Sequence, residues 1–215
     1  MSQRTVVAAD PLIELHIDAL AAALVEFRAA ARRLVSWGRH LAGILNHGGR
    51  LLVAGNGGSA AEAAHLAGEL VGRMRDDHPA YSAIALGADS ATLTALGNDY
   101  GFSEVFARQV RAHGRPGDVL LALSTSGRSE NLLAAAHVAR AEGLTAWALT
   151  GPAPNPLAEL CDDTLAITGA GAQTVQELQL VSVHLLCEQI EEALRVSEPR
   201  RREQSSAAAS ERIDR

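Results

Sequence analysis

Two short polar segments of this chain contain the residue types that bind phosphate. The first is a glycine turn, Gly55-Asn56-Gly57-Gly58, which follows an apolar run and precedes a helix-forming stretch that Ser59 can cap. Glycine lets the backbone approach an anion closely, and the N–H groups and dipole of the next helix then face it. Such turns are also common in α/β folds without a phosphate ligand. Ligand binding and a purely structural turn therefore both remain open.

The second segment is the hydroxyl-rich loop, residues 124–129, with the sequence Ser-Thr-Ser-Gly-Arg-Ser after another apolar run. Hydroxyl and backbone N–H groups at the end of a strand can hold a phosphate without a lysine. A helix N-cap with additional serines is the alternative. The density of hydroxyl groups favours a ligand, because one cap needs a single hydroxyl.

His65 and Glu69 follow the glycine turn on a predicted helix, and their spacing of four residues puts them on one face. A histidine and a carboxylate in this arrangement can share a divalent metal or act as an acid/base pair. A solvent-exposed pair that stabilises the helix by a few tenths of a kcal/mol is the alternative. A substrate on the glycine turn would lie within reach of this face.

Composition and charge limit the class of protein. The chain has 215 residues, enough for one sizeable α/β domain, and its net charge of −6 argues against binding to nucleic acid or an anionic membrane. Its two cysteines, Cys161 and Cys187, lack metal-site spacing and are predicted to be reduced. No signal-peptide pattern or membrane span is evident. We therefore expect a cytoplasmic protein with neither nucleic-acid nor membrane partners.

Apolar runs that alternate with helical patterns predict a three-layer αβα sandwich around a five-stranded parallel sheet. The predicted strands are residues 51–54, 82–86, 119–123, 144–149 and 164–167. A helical segment at 11–46, as one helix or two, precedes the sheet and packs either on it or on a second subunit. We also predict a turn at 97–101 and a last helix at about 173–194. Residues 1–10 are predicted to be a loose arm, 11–196 a single domain and 197–215 a disordered tail.

The order and spacing of these motifs resemble those of the phosphoheptose isomerases, a family of SIS (sugar isomerase) domain proteins. The hydroxyl-rich loop is similar to the phosphosugar-binding signature of SIS domains. The likeness covers roughly residues 34–194. The match is narrowed by these further residues: Gly55 to Ser59, His65, Glu69, Gly97-Asn98-Asp99 and Gln176-Glu177.

The resemblance implies a fold, a reaction and a set of roles. The family interconverts sedoheptulose 7-phosphate and D-glycero-D-manno-heptose 7-phosphate, and it forms homotetramers with active sites at subunit interfaces. By resemblance the phosphate ligands are Ser124, Thr125, Ser126 and Ser129. The sugar would contact Asn56, Gly57, Gly58, Glu69, Asn98, Asp99 and Gln176. Glu69 and His184 would transfer protons as base and acid. Zinc, one ion per subunit, would be bound by His65, Glu69, Gln176 and His184.

Three features of the chain bear on this assignment. His184 stands among apolar residues of a predicted helix, where a histidine is more often structural, and only the family pattern reverses that interpretation. Gln176 and His184 are separated by about 12 Å of helix rise, so they reach one metal only by leaning together or from different subunits. Arg128 stands where the family usually has asparagine, and Gln173 stands where it often has aspartate. These two departures affect the identity of the substrate more than the type of reaction.

The principal alternative is a non-catalytic SIS protein, either an adaptor for the bacterial replication initiator or a phosphosugar-sensing regulator. The presence of Glu69 and His184 favours the enzyme. A regulator would also need a DNA-binding module, and the N-terminal region has no basic recognition helix. An isomerase for another sugar phosphate, such as a ketohexose phosphate, also remains open.

Overall fold

The computed structural model describes residues 10–73, 75, 77–168 and 171–213, with side chains as far as residue 196. Its centre is a sheet of parallel strands in the order β2-β1-β3-β4-β5. The strands are β1 (Leu51–Gly55), β2 (Ala83–Ala85), β3 (Val119–Ser124), β4 (Thr145–Thr150) and β5 (Asp163–Ala166). The predicted five-stranded parallel sheet is therefore confirmed.

Helices cover both faces of the sheet, as a three-layer sandwich requires. They are α1 (Pro11–Ala31), α2 (Arg33–Asn46), α3 (Gly58–Val71), α4 (Ser90–Tyr100), α5 (Val105–His113), α6 (Glu130–Ala141), α7 (Pro156–Leu160) and α8 (Ala172–Ile213). Helices α1, α2, α3 and α8 pack on one face, and α5, α6 and α7 on the other.

The two-sided burial explains why the strands are continuous apolar runs. In β1, Leu51 and Val53 belong to one hydrophobic core, whereas Leu52 and Ala54 belong to the other. Successive strand side chains point to opposite faces, so a strand covered on both sides needs an apolar residue at every position. The three central strands β1, β3 and β4 thus stand out in the sequence without an alternating pattern, whereas the edge strands β2 and β5 are only partly buried.

The N-terminal helical segment forms two helices that differ in how well this chain covers them. Helix α2 buries Leu34, Trp37, Leu41 and Leu45, and Trp37 stacks on Trp147 with ring centroids 4.7 Å apart. Helix α1 contacts the core only through its second half. Its exposed large apolar residues are Leu12, Ile13, Leu15, Ile17, Leu24 and Val25.

The structure differs from the sequence predictions in two turns. Ser59 does not cap α3: Gly57, with φ of +55°, is the N-cap, and the Ser59 hydroxyl is 2.7 Å from Oε1 of Gln179, to which it donates a hydrogen bond. The predicted turn at 97–101 is the last part of α4, which continues to Tyr100 and ends at Gly101 with φ of +84°. In both places the chain turns at a glycine with positive φ: Gly57, before the predicted cap, and Gly101, at the end of the predicted turn.

Both terminal segments are predicted from the sequence to lack regular structure. In the predicted disordered tail at 197–215, helix α8 continues to Ile213, and residues 214–215 lie outside the described residues. This segment has no glycine and is rich in the helix formers Ala, Arg and Glu, although Pro199 removes one backbone hydrogen bond. The predicted arm at 1–10 lies outside the described residues except for Asp10, which caps α1. Within the described part of the chain, no helix has the length and apolarity needed to cross a membrane.

Candidate active site

The glycine turn and the hydroxyl-rich loop meet at the point in the sheet where the strand order reverses. They follow β1 and β3, which are parallel neighbours. Helix α3 leaves β1 toward one face of the sheet, whereas α6 leaves β3 toward the other. The crevice between such diverging helices is where open α/β sheets bind ligands.

A reciprocal pair of amide hydrogen bonds joins the two segments. Asn56 donates to Asn131 with an N···O distance of 3.0 Å, and Asn131 donates back to Asn56 at 2.9 Å. Asn131 is buried in the first turn of α6. The pair therefore fixes the spacing between the glycine turn and the start of α6. Sequence reasoning missed Asn131, whose only signal was its polarity at the start of an apolar helix.

Between the two segments lies a cavity of about 50 Å³, room for a few water-sized groups. Ser129 is the N-cap of α6, yet its hydroxyl makes no capping hydrogen bond and leaves the N–H groups of the first turn to another acceptor. Such a helix start attracts an anion. Apart from Leu123, the lining residues are polar and uncharged: Asn56, Ser59, Ser124, Thr125, Ser126 and Ser129.

The loop between β4 and α7 supports the hydroxyl-rich loop from below. Gly127 has φ of +63°, and its N–H donates to the Ser124 hydroxyl at 3.0 Å. Its carbonyl accepts a hydrogen bond from Leu157 at 3.0 Å, and the side chain of buried Asn155 lies where a Cβ of residue 127 would be. Thus the shape of the cavity depends on Gly127 and on close packing against Asn155, which sequence reasoning also missed.

Helices α3 and α8 run side by side, and their contacts bring several predicted site residues together. The side chain of Gln176 packs on Gly58, at the start of α3. Two turns further along, the rings of His65 and His184 are 5.0 Å apart, edge to face. Nε2 of His65 is 3.2 Å from Oε1 of Glu69. His65, Glu69 and His184 therefore form one cluster within a single chain, the histidine–carboxylate cluster.

A second carboxylate faces the same histidine. Oε2 of Glu62 is 3.9 Å from Nδ1 of His65, beyond hydrogen-bonding distance, and this oxygen is buried without a hydrogen bond in the described part of the chain. Burial raises the pKa of the neighbouring Cys187 thiol to about 12, and the Glu69 carboxylate adds to this rise. Cys187 is therefore a neutral thiol near pH 7, unsuited to binding metal or to nucleophilic attack.

The cluster is accessible to solvent in the single chain. The His65 and Glu69 side chains are 36% and 28% exposed, and His184 is exposed. Asn98 and Asp99 are exposed at the end of α4, where they bond to each other at 2.8 Å, and they do not line the cavity. Gln173 is also exposed.

Two of the predicted metal ligands are far apart on one helix. Gln176 and His184 are separated by about 12 Å of rise along α8, with Gln176 beside the cavity and His184 in the histidine–carboxylate cluster. Among the described residues, no group of three or more His, Cys, Asp or Glu side chains is arranged to hold a metal ion. Imidazole and carboxylate are nevertheless donor types that zinc prefers.

Comparison with known proteins agrees with this geometry. The family model for the SIS domain matches residues 16–151. A phosphoheptose isomerase of Streptomyces coelicolor is 56% identical over 200 residues, which cover 93% of this chain and 87% of the relative. The chain belongs to the phosphoheptose isomerase family of SIS domain proteins. The predicted family, fold and enzyme class, an isomerase, are thereby confirmed.

Solved structures of the phosphoheptose isomerase family have the same fold. The phosphoheptose isomerase of Neisseria gonorrhoeae superposes with a TM-score of 0.78 at 34% identity, covering 84% of this chain and 97% of the other. That of Francisella tularensis also gives 0.78, at 35% identity, covering 86% and 100%.

The Gly127 contacts predict the effect of adding one methyl group. In Gly127→Ala, the new Cβ would overlap the Asn155 amide, and alanine would have to adopt a positive φ. We expect a loss of about 2 kcal/mol in the free energy of unfolding, together with weaker binding of inorganic phosphate. Chemical denaturation and isothermal titration calorimetry measure the two effects.

Gly43→Ala is the matched control, because Gly43 is in helix α2 with open space where its Cβ would be. This change should leave phosphate binding intact and stabilise the protein by about 0.5–1 kcal/mol. If Gly127→Ala had the same stability and phosphate affinity as Gly43→Ala, the support assigned to Asn155 would be wrong.

Proposed function

We propose that this protein interconverts sedoheptulose 7-phosphate and D-glycero-D-manno-heptose 7-phosphate through an enediol intermediate. The observation that supports the proposal most directly is the pairing of two sites along α3. The helix starts at the anion cavity and bears Glu69, which contacts His65 beside His184. A phosphate site and an acid/base cluster are the two parts that isomerisation of a sugar phosphate requires.

In the proposed reaction the terminal phosphate binds in the cavity to the hydroxyl-rich loop and the start of α6. Glu69 removes a proton from C1 of the ketose and returns it to C2, which converts the ketose into the aldose. His184 donates a proton to the C2 oxygen and accepts one from the C1 hydroxyl. The contact with His65 holds the Glu69 carboxylate in place. A cluster of this kind favours the enzyme over a non-catalytic adaptor.

The distance between the two sites supports an active site shared between subunits. Glu69 is about 16 Å of helix rise from Gly58, at the cavity. A seven-carbon sugar with bonds of about 1.5 Å extends only roughly 9 Å from its carbonyl to its phosphorus. A substrate whose phosphate is bound by one chain would therefore meet Glu69 and His184 of a second chain. Asn98 and Asp99, exposed in the single chain, would face the sugar in the same assembly.

The exposed apolar surface of α1 supports the same assembly. Its first turns expose Leu12, Ile13, Leu15 and Ile17, and no residue of α4 is buried within the single chain. An apolar patch of this kind on a single chain is typical of a protein interface. We propose that the protein is a homotetramer in which α1 packs against other copies.

Zinc is part of the proposal because the predicted ligands include the donor types that zinc prefers. His65, Glu69 and His184 offer two imidazoles and a carboxylate in one cluster, with Glu62 behind His65. Gln176, the fourth predicted ligand, would come from another chain, because the Gln176 of the same chain lies two helical turns from His184. A bound zinc ion supplies Lewis-acid polarisation of substrate oxygens.

The reaction is assigned to the cytoplasm. Cys161 and Cys187 are both free thiols. Free thiols of this kind persist in a reducing compartment.

Glu69→Gln tests the proposed base. This change keeps the size of the side chain and removes its ability to accept a proton from carbon. We expect kcat for sedoheptulose 7-phosphate to fall by about 10²- to 10⁴-fold, measured as aldose formation. Glu142→Gln is the control, because Glu142 is an exposed residue at the end of α6. Equal turnover by the wild type and Glu69→Gln would exclude Glu69 as the base.

Metal removal tests the proposed zinc site. Dialysis against a chelator should lower activity, and added zinc should restore it. The metal content, measured by plasma mass spectrometry, should be about one zinc per chain in the wild type. It should fall toward zero in His65→Gln but not in His113→Gln, a change at an exposed histidine on another helix. Full activity at negligible metal content would contradict the zinc site.

Charge introduced on α1 tests the proposed assembly. Leu15 and Val25 are 68% and 69% exposed in the single chain, so the double change to glutamate should not unfold it. Light scattering after size exclusion should show four copies for the wild type and a smaller species, with lost activity, for the variant. Asp18→Asn on the same helix should leave the mass unchanged. A wild-type monomer, or a variant that stays tetrameric, would contradict the role of α1.

A further inference from the structure

One cation stands in the hydroxyl-rich loop. Arg128 lies between Ser126 and Ser129, both of which line the anion cavity, and it is the sole Lys or Arg between residues 119 and 139. Its side chain is exposed at the rim of the cavity. The roles assigned so far to the loop involve its hydroxyl and N–H groups and leave Arg128 without one.

The cavity itself lacks a positive charge. A phosphate ester brings about −1.5 to −2 charges at pH 7, and the chain already has a net charge of −6. The start of α6 contributes only about half of a positive charge, and Glu130 in its first turn opposes it. The hydroxyl and amide groups of the lining can point their dipoles at an anion, but they do not neutralise its charge.

Arg128 is available to provide that charge. Within the described part of the chain, its guanidinium forms no hydrogen bond or ion pair, and Glu130 is not its partner. Arg50 and Arg140, by contrast, pair with Asp118 and Asp162. The Arg128 backbone is held in place because its N–H donates to the Ser126 hydroxyl at 3.3 Å.

The position of the backbone puts the cavity within reach of the side chain. An extended arginine side chain spans roughly 6 Å from Cα to the guanidinium carbon. The hydroxyl groups on either side of Arg128 line the cavity, so a rotation about its side-chain bonds is enough to bring the guanidinium over a bound anion. Such a pair can be bidentate, which lysine cannot reproduce.

We propose that Arg128 closes over the cavity and binds the terminal phosphate of the substrate as its dianion. This residue thereby selects sugars that bear a fully ionised phosphate. The inference rests on the proposed function in one respect, that the substrate is a phosphorylated sugar. It assigns a substrate-binding and specificity role to a residue outside the neutral cradle.

Binding of inorganic phosphate tests the role directly, without turnover. Calorimetry should show that Arg128→Asn binds phosphate about 5- to 30-fold more weakly than the wild type, since a partly solvated charged contact is lost. Arg128→Lys should be intermediate. Arg39→Asn is the matched control, because it removes an exposed arginine from α2 and changes the net charge equally.

The pH dependence separates a phosphate contact from a structural effect. A phosphate ester loses its second proton at about pH 6. The ratio of wild-type to Arg128→Asn affinity should therefore be smaller at pH 5.5 and increase at pH 7.5. It should also decrease at high ionic strength, because salt screens an exposed charge. A ratio independent of both pH and salt would overturn the proposal.

Turnover of sedoheptulose 7-phosphate by the same proteins distinguishes this inference from the proposed reaction. Arg128→Asn should raise KM and leave kcat close to that of the wild type. If the wild type showed no turnover but Arg128→Asn lost phosphate affinity, the isomerase proposal would fail and the role of Arg128 would be supported. If Arg128→Asn bound phosphate as tightly as the wild type, or the wild type bound none, the role of Arg128 would be refuted.

Discussion

The structure of the candidate site depends on one constraint, the adjacency of β1 and β3 in a sheet whose crossover helices diverge. Because α3 and α6 leave toward opposite faces, the backbone opens a crevice at the ends of these two strands. The Asn56–Asn131 pair then sets the width of this crevice. The strand order thus determines where the phosphate site lies, and the side chains determine its width.

A second layer of contacts determines the shape of the crevice. The loop after β4 packs directly on the hydroxyl-rich loop. A Cβ at Gly151 would overlap the Thr125 carbonyl, and a Cβ at Gly127 would overlap the Asn155 side chain. Asn155 connects this loop to the start of α7 through its acceptance of the Ala158 N–H at 2.9 Å. The anion cradle is therefore preorganised by neutral groups, and its electrostatic complement has to come from elsewhere.

Much of the fold and some of the site were predictable from the sequence, for identifiable reasons. Strands such as β1 and β3 are buried at every position, and the continuous apolar runs that result make them easy to recognise. The end of α4 was not predictable, because Gly97, Asn98 and Asp99 are typical turn formers and yet the helix continues through them to Tyr100. Asn131 and Asn155 were missed because their importance lies in partners distant in sequence. The proximity of His65 and His184 likewise arises from the packing of α3 on α8.

Helix α8 fixes the spatial relation between the two halves of the proposed chemistry. Gln176 at its start touches the glycine turn, and His184 touches His65 two turns later. A single residue inserted between them would rotate everything beyond it by about 100° and shift it by about 1.5 Å. His184 would then leave its neighbour on α3 even though every side chain were retained. The interval from 176 to 184 should therefore tolerate no change of length, whichever residues it contains.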